Sequence, residues 1–270
     1  MIEALSYEFM QNALIAGIIV SFVAGIIGSL IVVNRMVFLA GGIAHAAYGG
    51  IGIAIFTGIP IFLGTTLFAV AAALFMAFVT LRQKDKIDIF TGLIWAVGMA
   101  IGIILVDLTP GYNVDLMSYL FGSILAVERS DLYFMVALFI IIVAVMTIWY
   151  RDILAVSYDS EYAALSGINV KFFYTLILVL TALAVVIAIK VVGLILVIAL
   201  LTIPIYIAQN LSSSLSSMMI LSGLIASCFT TIGLWFSYSF DLTSGASIIL
   251  VSALFLIVFM IVQKLYVDIK

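Results

Sequence analysis

Charge is what this chain has least of. Of its 270 residues only 9% are Asp, Glu, Lys or Arg, while 67% are hydrophobic and the mean hydropathy is +1.43. A soluble domain is about 45–50% apolar and about 25% charged. No globular core could hide this much apolar surface, so soluble, disordered and disulfide-scaffold classes are excluded. Cysteine occurs once, as Cys228, so no internal disulfide can form. In its apolar run Cys228 reads as a buried small hydrophobe. The net charge of −3 and a pI near 4.9 argue against a nucleic-acid partner. Catalytic signatures are missing too: the chain has no HExxH helix, no GxSxG elbow and no G-x-x-x-x-G-K-S/T phosphate loop. The opening MIEALSYEFMQ carries Glu3 and Glu8 but no Lys or Arg. A secretory leader begins basic, so the first apolar run reads as a spanning helix.

What remains is an all-α polytopic membrane protein, with residues 1–270 as a single transmembrane domain and membrane lipid among its partners. A spanning helix needs roughly 20 mainly apolar residues. Nine segments qualify, near 12–34, 38–57, 60–81, 88–107, 132–149, 171–189, 191–209, 216–237 and 245–263. The count falls to eight if one of them is broken. Between the fourth and fifth lies 116–126, LMSYLFGSILA, too short to span; it reads as re-entrant or interfacial. Basic residues concentrate in cytoplasmic loops. Threading nine spans with the N-terminus outside places eight of the ten basic residues inside, and only Arg129 and Lys190 outside. The reverse threading gives the opposite ratio, so the expectation is an outer N-terminus and an inner C-terminus. The outer segments then carry Glu3, Glu8, Asp107, Asp115, Glu128, Asp131 and Asp241 against those two bases. An acidic mouth attracts cations.

His45 is the only histidine. It lies ten residues beyond Arg35, about 15 Å into the second span and near mid-bilayer. Its helical neighbours Gly41, Gly42, Tyr48, Gly49 and Gly52 form a glycine-rich face, which admits another helix closely or leaves a cavity. Neutral imidazole is a common transition-metal ligand, so His45 is a candidate waypoint. Asp115 and Asp241 are candidate metal-attracting acids at the outer ends of segments. The competing reading makes both acids helix caps and has His45 bonding a neighbouring helix. Residues 151–171 are the largest polar interruption; within them EYAALSG suggests a short inner helix stopped at Gly167.

Several blocks resemble the permease subunits of ABC importers for zinc and manganese: RMVFLAGGIAHAAYGGIGIA (35–54), VDLMSYLFGSILAVERSDL (114–132), DSEYAALSGINV (159–170), VVGLILVIALLTIPIYIA (191–208) and SFDLTSGASIILV (239–251). They lie in family order and cover nearly the whole chain; the second is most similar to the zinc-importer version. The resemblance implies about eight spans, a homodimer, a pair of cytoplasmic ATPase subunits, an extracytoplasmic metal-binding protein, and a place in the inner membrane of a prokaryote. It also implies ATPase coupling through Asp159, Glu161, Ala164, Leu165 and Gly167. The cargo is then a divalent metal ion, with no permanently bound cofactor, and hydrolysis belongs to a partner. One position departs: many members carry an acid four residues before the histidine, where this chain has Gly41. A histidine without that acid favours zinc over manganese, because manganese prefers carboxylate oxygens. Two alternatives stand beside this: a related permease for an iron chelate or vitamin, and an ion-driven secondary transporter. The second usually shows several intramembrane acids, which the span interiors here largely lack.

Overall fold

The computed structural model describes residues 6–110 and 116–269. In a bilayer each backbone N–H and C=O must find its partner within the segment, so apolar runs become helices. The helices are α1 (Glu8–Val33), α2 (Val37–Thr57), α3 (Ile61–Arg82), α4 (Ile87–Asp107), α5 (Leu116–Phe121), α6 (Arg129–Tyr158), α7 (Ser160–Leu165), α8 (Val170–Val192), α9 (Val197–Leu200), α10 (Ile203–Leu211), α11 (Leu215–Phe240) and α12 (Ser244–Ile269). Among the described residues eight are long and apolar enough to cross a membrane: α1, α2, α3, α4, α6, α8, α11 and α12.

Contacts at the helix ends set the directions. At one end of the bundle Arg129 Nε meets Glu8 Oε1 at 2.6 Å, Asn12 Nδ2 donates to Val127 O, Lys190 Nζ meets Asp131 Oδ2 at 2.9 Å, and Ile124 N donates to Ser244 Oγ. The starts of α1, α6 and α12 and the end of α8 therefore share this Glu8 end. At the other, the Arg82 end, Asn34 Nδ2 donates to Ser157 Oγ and Gln263 Nε2 to Asn210 Oδ1. The chain between α8 and α11 must then run from the Glu8 end to the Arg82 end. It does so as α9 and α10, so the described residues traverse the bundle nine times, the seventh time in two pieces.

The expected hairpin at Lys190 is displaced. Lys190 lies in the last turn of α8, and the helix stops at Gly193, which has φ +81°. The break inside the seventh traverse follows from Pro204. Its ring excludes the carbonyl of Leu200 and it lacks an N–H, so α9 ends at Leu200. Thr202 Oγ1 donates to Ile198 O at 2.8 Å, satisfying a carbonyl the break leaves free. The stretch Val197–Leu211 is 15 residues, about 22 Å of helix, against a hydrocarbon core of about 30 Å. Residues 119–122 pack beside the α8–α9 turn. Leu194 N donates to Tyr119 O and Ile195 N to Leu120 O, both at 3.1 Å. The segment 116–126 is thus docked into the bundle, with Ile124 fully buried.

α2 occupies the centre. It runs parallel to α4, with Gly42 against Thr91, Gly49 against Gly98 and Gly52 against Gly102, and antiparallel to α3, with Gly50 against Gly64. α1 and α11 close in the same manner, Gly25 against Gly223, and are bridged by Ser21 with Thr230 and by Ser222 with Gly25 O. Small residues and hydroxyls of this kind hold helices together where no hydrophobic effect separates helix from lipid. Cys228 is exposed on α11 rather than buried. Outside a membrane bundle the solvent is itself apolar, so an apolar side chain has no drive to turn inward.

Candidate functional site

His45 is 6% exposed, eight residues into α2. Its Nδ1 lies 2.9 Å from Gly41 O, one turn back on its own helix. A carbonyl only accepts, so Nδ1 carries the proton and Nε2 keeps the lone pair. Across the helix pair the Trp95 ring of α4 stacks on the imidazole, centroids 3.7 Å apart and planes 19° from parallel. On the third side a Cβ on Gly41 would stand 2.7 Å from Ile198 Cδ1 of α9. So His45 sits where α2, α4 and the broken traverse converge, and among the described residues its Nε2 has no hydrogen-bond partner. The neighbouring-helix partner expected for it is an aromatic face, while its hydrogen bond is local.

The other two candidate ligands do not join it. Asp241 is exposed and ends α11 in a left-handed turn with φ +54°, its N–H directed at Ser237 O. Asp and Asn tolerate that conformation better than most residues. Asp115 falls outside the described residues. Among the described residues no group of three or more His, Cys, Asp or Glu side chains is placed to hold a metal ion together. Of the three candidates, the two that are described, His45 and Asp241, are thus not brought together.

At the Glu8 end, α2, α3, α6 and α8 line an open cavity of about 390 Å³. The pair Lys190–Asp131 lines it, with Glu128, Tyr119 and the rings of Phe62 and Phe134. Asp131 Oδ2 also accepts from Glu128 N, and the Glu128 side chain accepts in turn at the first turn of α6, a capping box. Reading the loop charges alone groups Glu128, Asp131 and Lys190 without pairing them. Their convergence depends on α6 meeting α8.

At the Arg82 end α6 kinks at Trp149 and runs on to Tyr158, and α7 follows at once. Asp159 caps α7, its Oδ1 accepting from Glu161 N at 3.1 Å and Tyr162 N at 2.9 Å. Gly167 N donates to Ala164 O and Ile168 N to Ala163 O, and Gly167 has φ +82°. That is the Schellman stop expected at this glycine. Ala163 is fully buried, whereas Tyr158, Tyr162 and Leu165 point outward, Leu165 at 90% exposure. α7 is thus anchored by Ala163 and turns Tyr162 and Leu165 outward, and the five residues expected to couple to an ATPase, Asp159, Glu161, Ala164, Leu165 and Gly167, build or border it.

Residues 6–263 match the ABC 3 transport family. The chain belongs to that family. ABC 3 membership makes it a transport subunit rather than an enzyme. It is 36% identical over 261 residues to the manganese transport system membrane protein MntC of Listeria monocytogenes, covering 96% of this chain and 93% of that protein. It is 33% identical to the manganese import system permease protein ScaB of Streptococcus gordonii, covering 96% and 93%. Among solved structures, PsaBC from Streptococcus pneumoniae in complex with Fab superposes with a TM-score of 0.87 at 32% identity, over 96% of this chain and 93% of that one. A putative metal-chelate type ABC transporter in an inward-facing conformation superposes at 0.72 with 16% identity. That likeness concerns the fold alone.

Proposed function

We propose that this ABC 3 chain is the membrane-spanning permease of an ATP-driven importer of divalent manganese. The observation that carries the reading is the match to manganese transport permeases along nearly the whole chain. The zinc expectation rested on the likeness of 114–132 to the zinc-importer version and on His45 without an acid at Gly41; the named relatives favour manganese, and zinc is the second reading because imidazole suits it. The Arg82 end is cytoplasmic. Arg35, Arg82, Lys84, Lys86, Arg151, Lys171 and Lys264 sit there, against Arg129 and Lys190 at the Glu8 end, as the positive-inside rule requires. Two copies form the permease. α7 transmits ATP binding and hydrolysis from a cytoplasmic ATPase pair, and an external metal-binding protein unloads at the Glu8 end. Asp115 and Asp241 draw the ion to the mouth, and His45 Nε2 is a waypoint inside.

Reconstitution in proteoliposomes tests this. The permease alone is expected to hydrolyse no ATP. With its ATPase and binding protein it is expected to take up Mn²⁺ in preference to Zn²⁺ at limiting concentrations, and His45→Ala, Asp115→Asn and Asp241→Asn are each expected to slow uptake at normal assembly. Uptake of neither metal by the full complex would sink the cargo assignment.

A further inference from the structure

We propose that Trp95 is a positioning residue for the ion path, one that sets how tightly the His45 waypoint holds its ion; this rests on the waypoint reading above. The imidazole is restrained from two directions. The bond to Gly41 O at 2.9 Å fixes the tautomer and one edge of the ring. The indole stacked at 3.7 Å and 19° fixes its plane. Together they leave Nε2 a single orientation.

Trp95 is itself held. It lies four residues after Thr91 and three before Gly98, on the face of α4 that packs on α2 through Gly42, Gly49 and Ala46. A Cβ on Gly98 would stand 2.6 Å from Ala46 Cα, so no side chain separates the two backbones. Phe38 of α2 is a second ring beside the indole, centroids 6.4 Å apart and planes 41° from parallel. The close approach of α2 and α4 thus holds the Trp95 backbone beside the turn of α2 that carries His45.

Two physical effects follow. An imidazole already oriented gives up less freedom when it binds an ion. An imidazole bound to a dication also takes on positive charge, which the negative face of the indole stabilises. Neither effect supplies a ligand atom. Trp95 therefore governs residence at the waypoint and not the existence of the path.

The test uses the complete complex in proteoliposomes. Stacking and cation–π terms of this kind correspond to about 3- to 10-fold in binding. Trp95→Leu is expected to raise KM for Mn²⁺ by about that factor, with the saturated rate kept or increased, because release is not slowed. Trp95→Phe and Trp95→Tyr, which keep a ring, are expected to restore KM most of the way. In a His45→Ala background Trp95→Leu should change nothing further. Mn²⁺ alone should quench tryptophan emission more in the wild-type complex than in the Trp95→Phe complex. Wild-type KM in Trp95→Leu beside a defective His45→Ala overturns the role of Trp95 and leaves the waypoint standing. So does an equal effect of Trp95→Leu with and without His45. Normal uptake by His45→Ala at limiting Mn²⁺ overturns the waypoint itself.

Discussion

Gly122→Ala should be among the most damaging small substitutions in the chain. Gly122 has φ +76°, and a Cβ there would overlap the backbone of Gly193 and Val192. Gly193, with φ +81°, meets Gly122 and Phe121 in the same way, and Gly245 meets Phe121 O and Val192 O. Three backbones from 116–126, the α8–α9 turn and the start of α12 touch at one point with nothing between them. An alanine at 122 suffers twice: the left-handed conformation costs about 1–2 kcal/mol, and forcing a methyl into a filled space costs about 1–3 kcal/mol. The sum is about 2–5 kcal/mol. Two controls separate the components. Gly58 has φ +73° with open space around it, so Gly58→Ala should lose only the conformational part, about 1–2 kcal/mol. Gly92 is helical with open space, so Gly92→Ala should gain about 0.5–1 kcal/mol. The apparent melting temperature of the detergent-solubilised protein orders the three, at roughly 2–4 °C per kcal/mol. Equal losses in Gly122→Ala and Gly58→Ala would refute the three-backbone joint.

Three further outcomes can be checked. Lys190→Met and Asp131→Asn, made singly, should each lower that melting temperature more than the double exchange does. Each single change leaves a partly buried charge unpaired, a loss of about 1–3 kcal/mol; additive losses would show the pair is idle. Reporters fused to the two termini should fall on opposite sides of the membrane, the C-terminal one in the cytoplasm, because the traverses are odd in number; same-side reporters would mean α9 and α10 turn back. Leu165→Asp with Glu161→Lys should abolish transport-coupled ATP hydrolysis while leaving metal delivery to the outer face intact; normal coupling would remove α7 from the ATPase contact.

The nine traverses were legible because bilayer thickness imposes a run length that hydropathy reads directly. The short helix α7 was legible for a local reason: Asp159 and Gly167 mark its ends within eight residues. The break of the seventh traverse was not, although Gly193 and Pro204 stand in plain view. Hydropathy averages over the apolar residues on both sides, and the charged Lys190 invited a boundary three residues early. The site divides in the same way. Depth and residue type single out His45, but its tautomer depends on Gly41 O and its orientation on Trp95. That second contact arises only because α2 pairs with α4 rather than solely with the adjacent α3. Lys190 and Asp131, 59 positions apart, give no periodic sign that they meet. Cys228 was misplaced by a rule made for proteins in water.

The central position of α2 has a cost during synthesis. Its most apolar window has a mean hydropathy of 1.5 against 2.8 for α8, and 89% of it ends up covered by protein. Of the eight long helices it is the poorest at dissolving in lipid and the most enclosed at the end. Its glycine face is covered by α4, yet Thr91 leaves the ribosome 49 residues after Gly42, its neighbour in the finished bundle. At about 5–20 residues per second the helix waits roughly 2–10 s for its partner. For that interval a weakly hydrophobic segment, bearing a buried-to-be imidazole, must be kept in the membrane by α1, α3 or the insertion machinery. Biogenesis of this permease therefore has its vulnerable moment early, before half the chain exists, and at the helix that holds His45.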